Sequence, residues 1–241
     1  MNIFITGTDT DIGKTVITAG LATIMQSLGY KTGVLKPFQS GAIEQGGFVV
    51  SPDLAFVKKM DPYIQTRASY VLKAPTAPYI AAELENIEIN LDNVFKDYLL
   101  MNQRCDTVIV EGSGGFMVPV APNILMYETA KKLNIPALIV ARPDLGTINH
   151  TLLTINQAKE VGVKCVGVII NKYPENTDDI AIKTAPRLIE EYSDAKILGI
   201  VRDFSNETIS ASVLIANMLN SVDLEKIFNI KIPKLDLGTQ Y

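Results

Sequence analysis

Short uninterrupted apolar runs, rich in β-branched and aromatic residues, recur at 2–6, 32–36, 107–110, 137–140, 163–170 and 196–201. Strands of this kind, apolar at successive positions instead of alternating, are buried on both faces, as in a parallel sheet. Between them, apolar positions at helical spacing predict helices over 13–28, 91–101, 124–133, 148–160, 178–192 and 209–219. This alternation predicts an α/β fold, a doubly wound, mostly parallel sheet flanked by helices. Asn90 before Leu91 reads as a helix N-cap, and Pro136 after Asn134-Ile135 marks a helix end and a strand start. No internal repeat, low-complexity tract or linker divides residues 1–241, which read as one domain. Residues 38–90 differ: Gly41, Gly46, Gly47, Pro52, Pro62, Pro75 and Pro78 interrupt weak helical patterns between two strands. So long an excursion is usually functional or mobile.

Composition narrows the class. With 241 residues, 47% of them hydrophobic, the chain can bury a substantial core. Its 22 basic and 26 acidic residues give a net charge of −4, which argues against a nucleic-acid partner. Cys105 and Cys165 are isolated and suggest neither a disulfide framework nor a zinc site. Met1-Asn2-Ile3-Phe4-Ile5 runs directly into Thr6-Gly7 and reads as a first strand, not a signal peptide. The apolar runs are far shorter than the ~18–20 residues that cross a bilayer. These features predict a soluble protein of the reducing cytoplasm, without a membrane partner.

The strongest chemical signal is Gly7-Thr8-Asp9-Thr10-Asp11-Ile12-Gly13-Lys14-Thr15, between the first strand and the first helix. Glycine and small residues let backbone N–H groups turn inward around phosphate oxygens, and the helix N-terminus adds favourable polarity. Lys14 is placed for the β/γ-phosphates and the Thr15 hydroxyl for Mg²⁺. The pattern departs from the common P-loop, with Thr8 six positions before Lys14 and the glycine one residue earlier, at Gly7. The plain alternative is a Gly-rich strand-to-helix turn. Acids beside a triphosphate are repelled unless a cation intervenes, which makes Asp11 a further Mg²⁺ candidate.

Ligands of open α/β sheets bind outside the carboxyl ends of the strands. The second strand ends in Lys36-Pro37-Phe38-Gln39-Ser40-Gly41 and the third in Glu111-Gly112-Ser113-Gly114-Gly115, so Lys36 and Glu111 converge on the phosphate loop. Lys36 suits charge on a transferring phosphoryl group; Glu111 suits Mg²⁺ or a proton. Alternatively, the two simply pair at a strand end. Asp53, after Ser51-Pro52, either reaches back to the metal or serves as a helix N-cap or first-turn acid. After the fourth strand, Arg142 to His150 carries a Gly turn into a helix N-terminus, a receptor for carboxylate or phosphate. His150, in the first helical turn, reads as a structural hydrogen-bonding group in preference to a base. Asn171-Lys172 follows the fifth strand, where a nucleotide base would lie.

Together these residues resemble the dethiobiotin synthase family. Gly7 to Thr15, Lys36-Pro37-x-x-Ser40-Gly41, the Pro75-x-x-Pro78 pair, Glu111-Gly112-x-Gly114-Gly115 and Leu145-Gly146-x-Ile148-Asn149-His150 match it in order, across residues 2–201. The resemblance implies a P-loop NTPase-like α/β domain and a homodimer with its active site at the interface. It implies that 7,8-diaminononanoate and CO₂ form a carbamate, that ATP with Mg²⁺ phosphorylates it, and that the second amine closes the ring. Lys14, Lys36, Thr10 and Ser40 are the implied catalytic contacts, and Thr15, Asp53 and Glu111 the metal set. Asp11, Ile12, Gly13, Lys14, Thr15, Val16, Glu111, Gly112, Gly114 and Asn171 would hold the nucleotide, with Asn171 on adenine. Ser40 and Gly146, Thr147, Ile148 and Asn149 would hold the substrate, the last four its carboxylate across the dimer. Phe116 keeps the family's aromatic after Gly-Gly, whereas Asn171-Lys172 and Val201-Arg202 replace Asn-Asp and Ile-Pro. The family's substrate tyrosine has no clear counterpart in 176–187, where Lys183 is the nearest candidate.

Other readings are weaker. A switch ATPase of the same superfamily carries an early second lysine where this chain has Asp9, and needs a membrane or partner helix that the tail from Lys231 to Tyr241 does not supply. An amidating ligase needs a nucleophilic Cys with a partner His, a setting neither Cys105 nor Cys165 has. Lys14, Thr15, Lys36 and Glu111 together argue against a non-catalytic module.

Overall fold

In the computed structural model, residues 1–232 are described. Seven strands form one sheet in the order β11-β10-β9-β1-β6-β2-β5, every neighbouring pair parallel. They are β1 (Ile3–Gly7), β2 (Thr32–Gln39), β5 (Gln65–Val71), β6 (Thr107–Glu111), β9 (Ala137–Ala141), β10 (Cys165–Tyr173) and β11 (Ile197–Arg202). Two short antiparallel pairs stand apart: β3 (Ile43–Gln45) with β4 (Phe48–Val50), and β7 (Pro119–Ala121) with β8 (Ile124–Leu125). The helices are α1 (Lys14–Ser27), α2 (Pro52–Met60), α3 (Pro78–Leu84), α4 (Leu91–Asn102), α5 (Met126–Leu133), α6 (Thr147–Glu160), α7 (Ile180–Glu191), α8 (Ala211–Ser221) and α9 (Leu224–Phe228).

The chain moves outward from β1 to β2 and β5, returns through β6, then crosses to β9. This reversal places the carboxyl ends of β1, β2 and β6 side by side, where open α/β sheets hold ligands. Side-chain alternation in β1 divides the core: Ile3 and Ile5 pack with Leu21, Ile24 and Met25 of α1, while Phe4 packs with Val94 and Met101 of α4 and Met126 of α5. Each fully buried aliphatic side chain of this kind contributes about 1.5–3 kcal/mol. Close packing of α1 against α8 depends on Gly20, where a Cβ would lie 2.0 Å from Met218 Sδ. The Asn90 side chain accepts from the Asp92 N–H and caps α4, and Asn134, at φ 52°, ends α5 ahead of Pro136.

Several boundaries differ from the sequence reading. The stretch 38–90 contains a sheet strand, β5, which pairs with β2 at the sheet edge. Gln65-Thr66-Arg67-Ala68-Ser69-Tyr70-Val71 is too polar to stand out as an apolar run, because an edge strand is only partly covered. The same stretch holds α2, α3 and the β3–β4 hairpin. β2 continues to Gln39 and β10 to Tyr173, so Lys36 and Asn171 lie within strands, not after them. The helix predicted from 124 starts at Met126, because Ile124–Leu125 pairs with β7. α9 was not anticipated; its five residues carry too little periodicity. Most of the tail from Lys231 to Tyr241 lies outside the described residues. Among those described, no helix is long and apolar enough to cross a membrane.

Candidate active site

Between β1 and α1 the backbone must curl tightly, and three residues allow it. At Gly7 a Cβ would lie 2.4 Å from Ile12 Cδ1. Asp11 and Gly13 adopt left-handed conformations, φ 56° and 86°, on either side of Ile12. Gly13 also lets the Asn171 amide approach, since a Cβ there would lie 2.1 Å from Nδ2. α1 then begins at Lys14 with no side-chain cap and no acid in its first turn. Its first N–H groups are thus left for an anion.

β2 and β6 bring charge to this loop. The Lys36 ammonium lies 2.6 Å from Asp53 Oδ2 and 2.8 Å from Glu111 Oε1, and is buried with Glu111. Thr15 Oγ1 also donates to Glu111 Oε1, at 2.8 Å. Glu111 Oε2 is buried and has no partner among the described residues. Lys14 Nζ donates to the Asp9 carbonyl at 2.8 Å, and the Asp9 carboxylate lies 3.5 Å from Arg142. Burial and the neighbouring Lys36 charge lower the Lys14 pKa to about 8, against the opposing pull of Glu111, Asp53 and Asp11. At Lys36 burial works against the ammonium, but Glu111 and Asp53 outweigh it and raise its pKa above the ordinary lysine value.

The arrangement suits Mg²⁺ bound together with phosphate. Such an ion takes one or two carboxylates and fills its remaining positions with phosphate oxygens and water. Asp53, Glu111 and the Thr15 hydroxyl are the residues here that could hold such an ion, and the unpartnered Glu111 Oε2 is an acceptor in want of a donor or cation. No cluster of three or more His, Cys, Asp or Glu side chains suited to a metal on their own exists among the described residues.

A cavity of about 560 Å³ opens over the loop. Thr10, Asp11, Gly13, Lys14, Thr15, Val16, Lys36, Ser40, Asp53, Glu111 and Gly114 all line it. A second cavity, of about 430 Å³, shares Thr10, Asp11, Ser40 and Gly114 and extends to Pro75–Pro78 and Val118. Ile12 is buried beneath the loop, and Gly112 lies behind the site, its carbonyl accepting from Lys36 at 3.3 Å. Asn171 is buried, with Nδ2 donating to the Ile12 carbonyl at 2.8 Å and Oδ1 without a partner among the described residues.

The plain readings of Lys36 and Asp53 are the ones observed, and they leave both residues at the cavity. Lys36 does pair with Glu111, and Asp53 is a first-turn acid of α2, yet both line the cavity. Gly146, Thr147, Ile148 and Asn149 do not line either cavity; they form the start of α6, with Gly146 at φ 95° and Leu145 exposed. The His150 backbone joins the helix, but its imidazole makes no hydrogen bond among the described residues, so the structural role expected for that ring is not seen. Lys183 pairs with exposed Asp178 on α7. Sequence reasoning gave no role to three cavity residues, Gln39, Pro52 and Ser113, whereas it placed Lys172 beside a nucleotide base. Gln39 and Ser113 stand inside motifs already quoted, where their burial is the signal that was missing. Lys172 reaches the cavity through a left-handed backbone, φ 56°, which its sequence does not announce.

Fold and site together define a P-loop nucleotide-binding α/β protein. The backbone is similar to the cell division ATPase MinD of Pyrococcus furiosus, at TM-score 0.58 and 14% identity over 95% of this chain and 99% of that one. It is also similar to a ParA family ATPase from Chlorobium tepidum, at TM-score 0.54 and 13% identity over 95% and 93%. A family model described as an AAA domain matches residues 1–207. The chain is 38% identical over 211 residues to the ATP-dependent dethiobiotin synthetase BioD of Bacillus subtilis subsp. natto, covering 85% of this chain and 88% of that relative. Against the Clostridium kluyveri protein of the same name it is 36% identical over 235 residues, covering 90% and 97%. The chain belongs to the dethiobiotin synthetase family.

Proposed function

We propose that this protein closes the ureido ring of dethiobiotin from 7,8-diaminononanoate and CO₂ at the expense of ATP. The observation that carries the reading is the buried Lys36 ammonium, held between Asp53 and Glu111 at the wall of the loop cavity. One amine of the substrate adds to CO₂ and loses a proton, giving a carbamate. A carbamate oxygen attacks the γ-phosphorus of ATP, and ADP leaves. The second amine then attacks the carbonyl carbon of the carbamic-phosphoric anhydride, loses a proton and expels phosphate.

In this chemistry the protein positions groups and neutralises charge. Lys14 and the N–H groups of residues 11–16 cradle the phosphates, with Gly114 and Val16 shaping the walls. Lys36 stays protonated at neutral pH and faces the oxygens that gain charge as the phosphoryl group moves. Thr10 and Ser40, shared by both cavities, sit where the carbamate would meet the nucleotide. Thr15, Asp53 and Glu111 would hold Mg²⁺, which supplies further neutralisation of phosphate charge. The unpartnered Asn171 Oδ1 is an acceptor suited to the adenine amino group. The second cavity suits the diamine, and residues 146–149 of a second copy would receive its carboxylate, which makes the working unit a homodimer.

Incubation with Mg²⁺, ATP, 7,8-diaminononanoate and carbon-13 bicarbonate tests the reading. Dethiobiotin labelled at the ureido carbon is expected in the mass spectrum. ATP consumption without that product would overturn it.

A further inference from the structure

Ser40 and Asp53 stand at the two ends of a segment that leaves the sheet edge and returns. Between them the β3–β4 hairpin projects into solvent, with Phe48 74% exposed. The Gly41 and Ala42 N–H groups tie the Ser40 end to the loop after β5, donating to the Ala74 and Leu72 carbonyls at 3.1 and 3.0 Å, but these bonds do not link the two ends. What joins them is a pair of buried polar side chains, Gln39 and Ser51.

Gln39 Nε2 donates to the Ser40 carbonyl at 2.8 Å, and the Ser51 hydroxyl donates to Gln39 Oε1. The Leu54 N–H in turn donates to Ser51 Oγ at 3.2 Å, so Ser51 also caps α2. The amide orientation is dictated by its neighbour, because the reverse would aim Oε1 at the Ser40 carbonyl. A continuous chain of hydrogen bonds thus runs from the end of β2 to the first turn of α2. Asp53 lies inside that turn, and its carboxylate meets Lys36 at 2.6 Å. An apolar pair of the same size would fill the space, but it would not fix a direction or a distance as two directional bonds do.

We propose that Gln39 and Ser51 form a clasp that positions Asp53 against Lys36 and Ser40 at the cavity wall, independently of the hairpin it closes. The proposal rests on the metal and carbamate roles given to Asp53 and Ser40 above. Its residues are positioning residues: they act through Asp53 and Ser40 and not on the reacting atoms.

The test compares full-length wild type, Gln39→Met, Ser51→Ala, Ser51→Thr and the double variant Gln39→Met/Ser51→Ala. ATP binding is titrated calorimetrically with and without Mg²⁺, beside dethiobiotin formation and thermal melting. Gln39→Met, which removes both side-chain bonds of Gln39, is expected to weaken Mg²⁺-dependent ATP binding about tenfold, while binding without Mg²⁺ changes far less. Ser51→Ala should behave alike and Ser51→Thr should restore the wild-type titration. The double variant should be scarcely worse than either single one. A fall in melting temperature with unchanged Mg²⁺ dependence would reduce the clasp to a structural feature and overturn the proposal. If Gln39→Met does not fold, equal Mg²⁺ dependence in Ser51→Ala and Ser51→Thr overturns it as well. Failure of the underlying reading looks different, since wild type would then make no dethiobiotin whatever the titrations show.

Discussion

The loop after β1 and the loop after β9 leave the same edge of the sheet, and each feeds a helix through a left-handed glycine, Gly13 and Gly146. Around the first, Lys14, Lys36 and Glu111 are buried and bonded to one another's surroundings, and a cavity opens directly above them. Around the second, Leu145 is 85% exposed, Thr147 Oγ1 is buried without a partner among the described residues, and neither of the loop-side cavities reaches it. Two helix N-termini of similar local chemistry thus differ in what the rest of the chain builds over them. The phosphate end is assembled by one chain from β1, β2, β6 and α2. In the proposed function the carboxylate end gains its other half from a second copy.

The largest expected break in that contrast comes from Lys36. Lys36→Ala should lower kcat at least about a hundredfold, because in the proposed function the lost charge would act on the transferring phosphoryl group, while ATP binding changes far less. It also leaves Glu111 and Asp53 facing each other without their cation, so melting should fall too. Steady-state turnover beside calorimetry checks this, and unchanged turnover would remove Lys36 from the chemistry. Thr15→Val comes next, with Mg²⁺-dependent ATP binding expected to disappear; an intact Mg·ATP titration would contradict the metal assignment.

On the other loop, Leu145→Asp should raise KM for 7,8-diaminononanoate about tenfold and weaken self-association, since in the proposed homodimer a charge would replace an exposed apolar side chain that the second copy would cover, a burial worth about 1.5–3 kcal/mol. Sedimentation and substrate titration both report on it. An unaltered KM with unaltered association would separate this loop from both roles. The smallest effect belongs to Lys14. With its pKa lowered to about 8 in the free site, Lys14 is increasingly neutral above that pH. Bound phosphates favour the ammonium and raise the pKa again, so ATP binding should take up protons above pH 8 and few below pH 7. Calorimetry in buffers of different ionisation enthalpy measures this uptake, and affinity should decline modestly as pH rises past 8. Proton release in the same range would reverse the assigned sign.

Legibility in the sequence follows the same divide. The buried central strands read as apolar runs, and Gly13-Lys14-Thr15 reads as a phosphate loop, because backbone geometry there leaves few residue types available. Lys36 and Glu111 were legible from their place near strand ends, and the pairing weighed for them is present beside the cavity. β5 was hidden because an edge strand tolerates Gln65, Arg67 and Ser69. Gln39 and Ser51 were hidden for a different reason: a buried hydrogen bond between residues 12 apart leaves no periodic trace. Lys172 and Asn171 were placed after β10 by a strand that in fact runs on to Tyr173, with an irregular register beyond Ile170.

The most direct measurement follows oxygen. If a carbamate oxygen attacks ATP and then departs with phosphate, one oxygen-18 atom from labelled CO₂ must appear in each phosphate released during a rapid single turnover. The account predicts singly labelled phosphate formed in step with dethiobiotin, and only when 7,8-diaminononanoate and bicarbonate are both present. Unlabelled phosphate accompanying dethiobiotin would show that the carbamate never carried the phosphoryl group, and would contradict the role given to Lys36, Asp53 and Glu111.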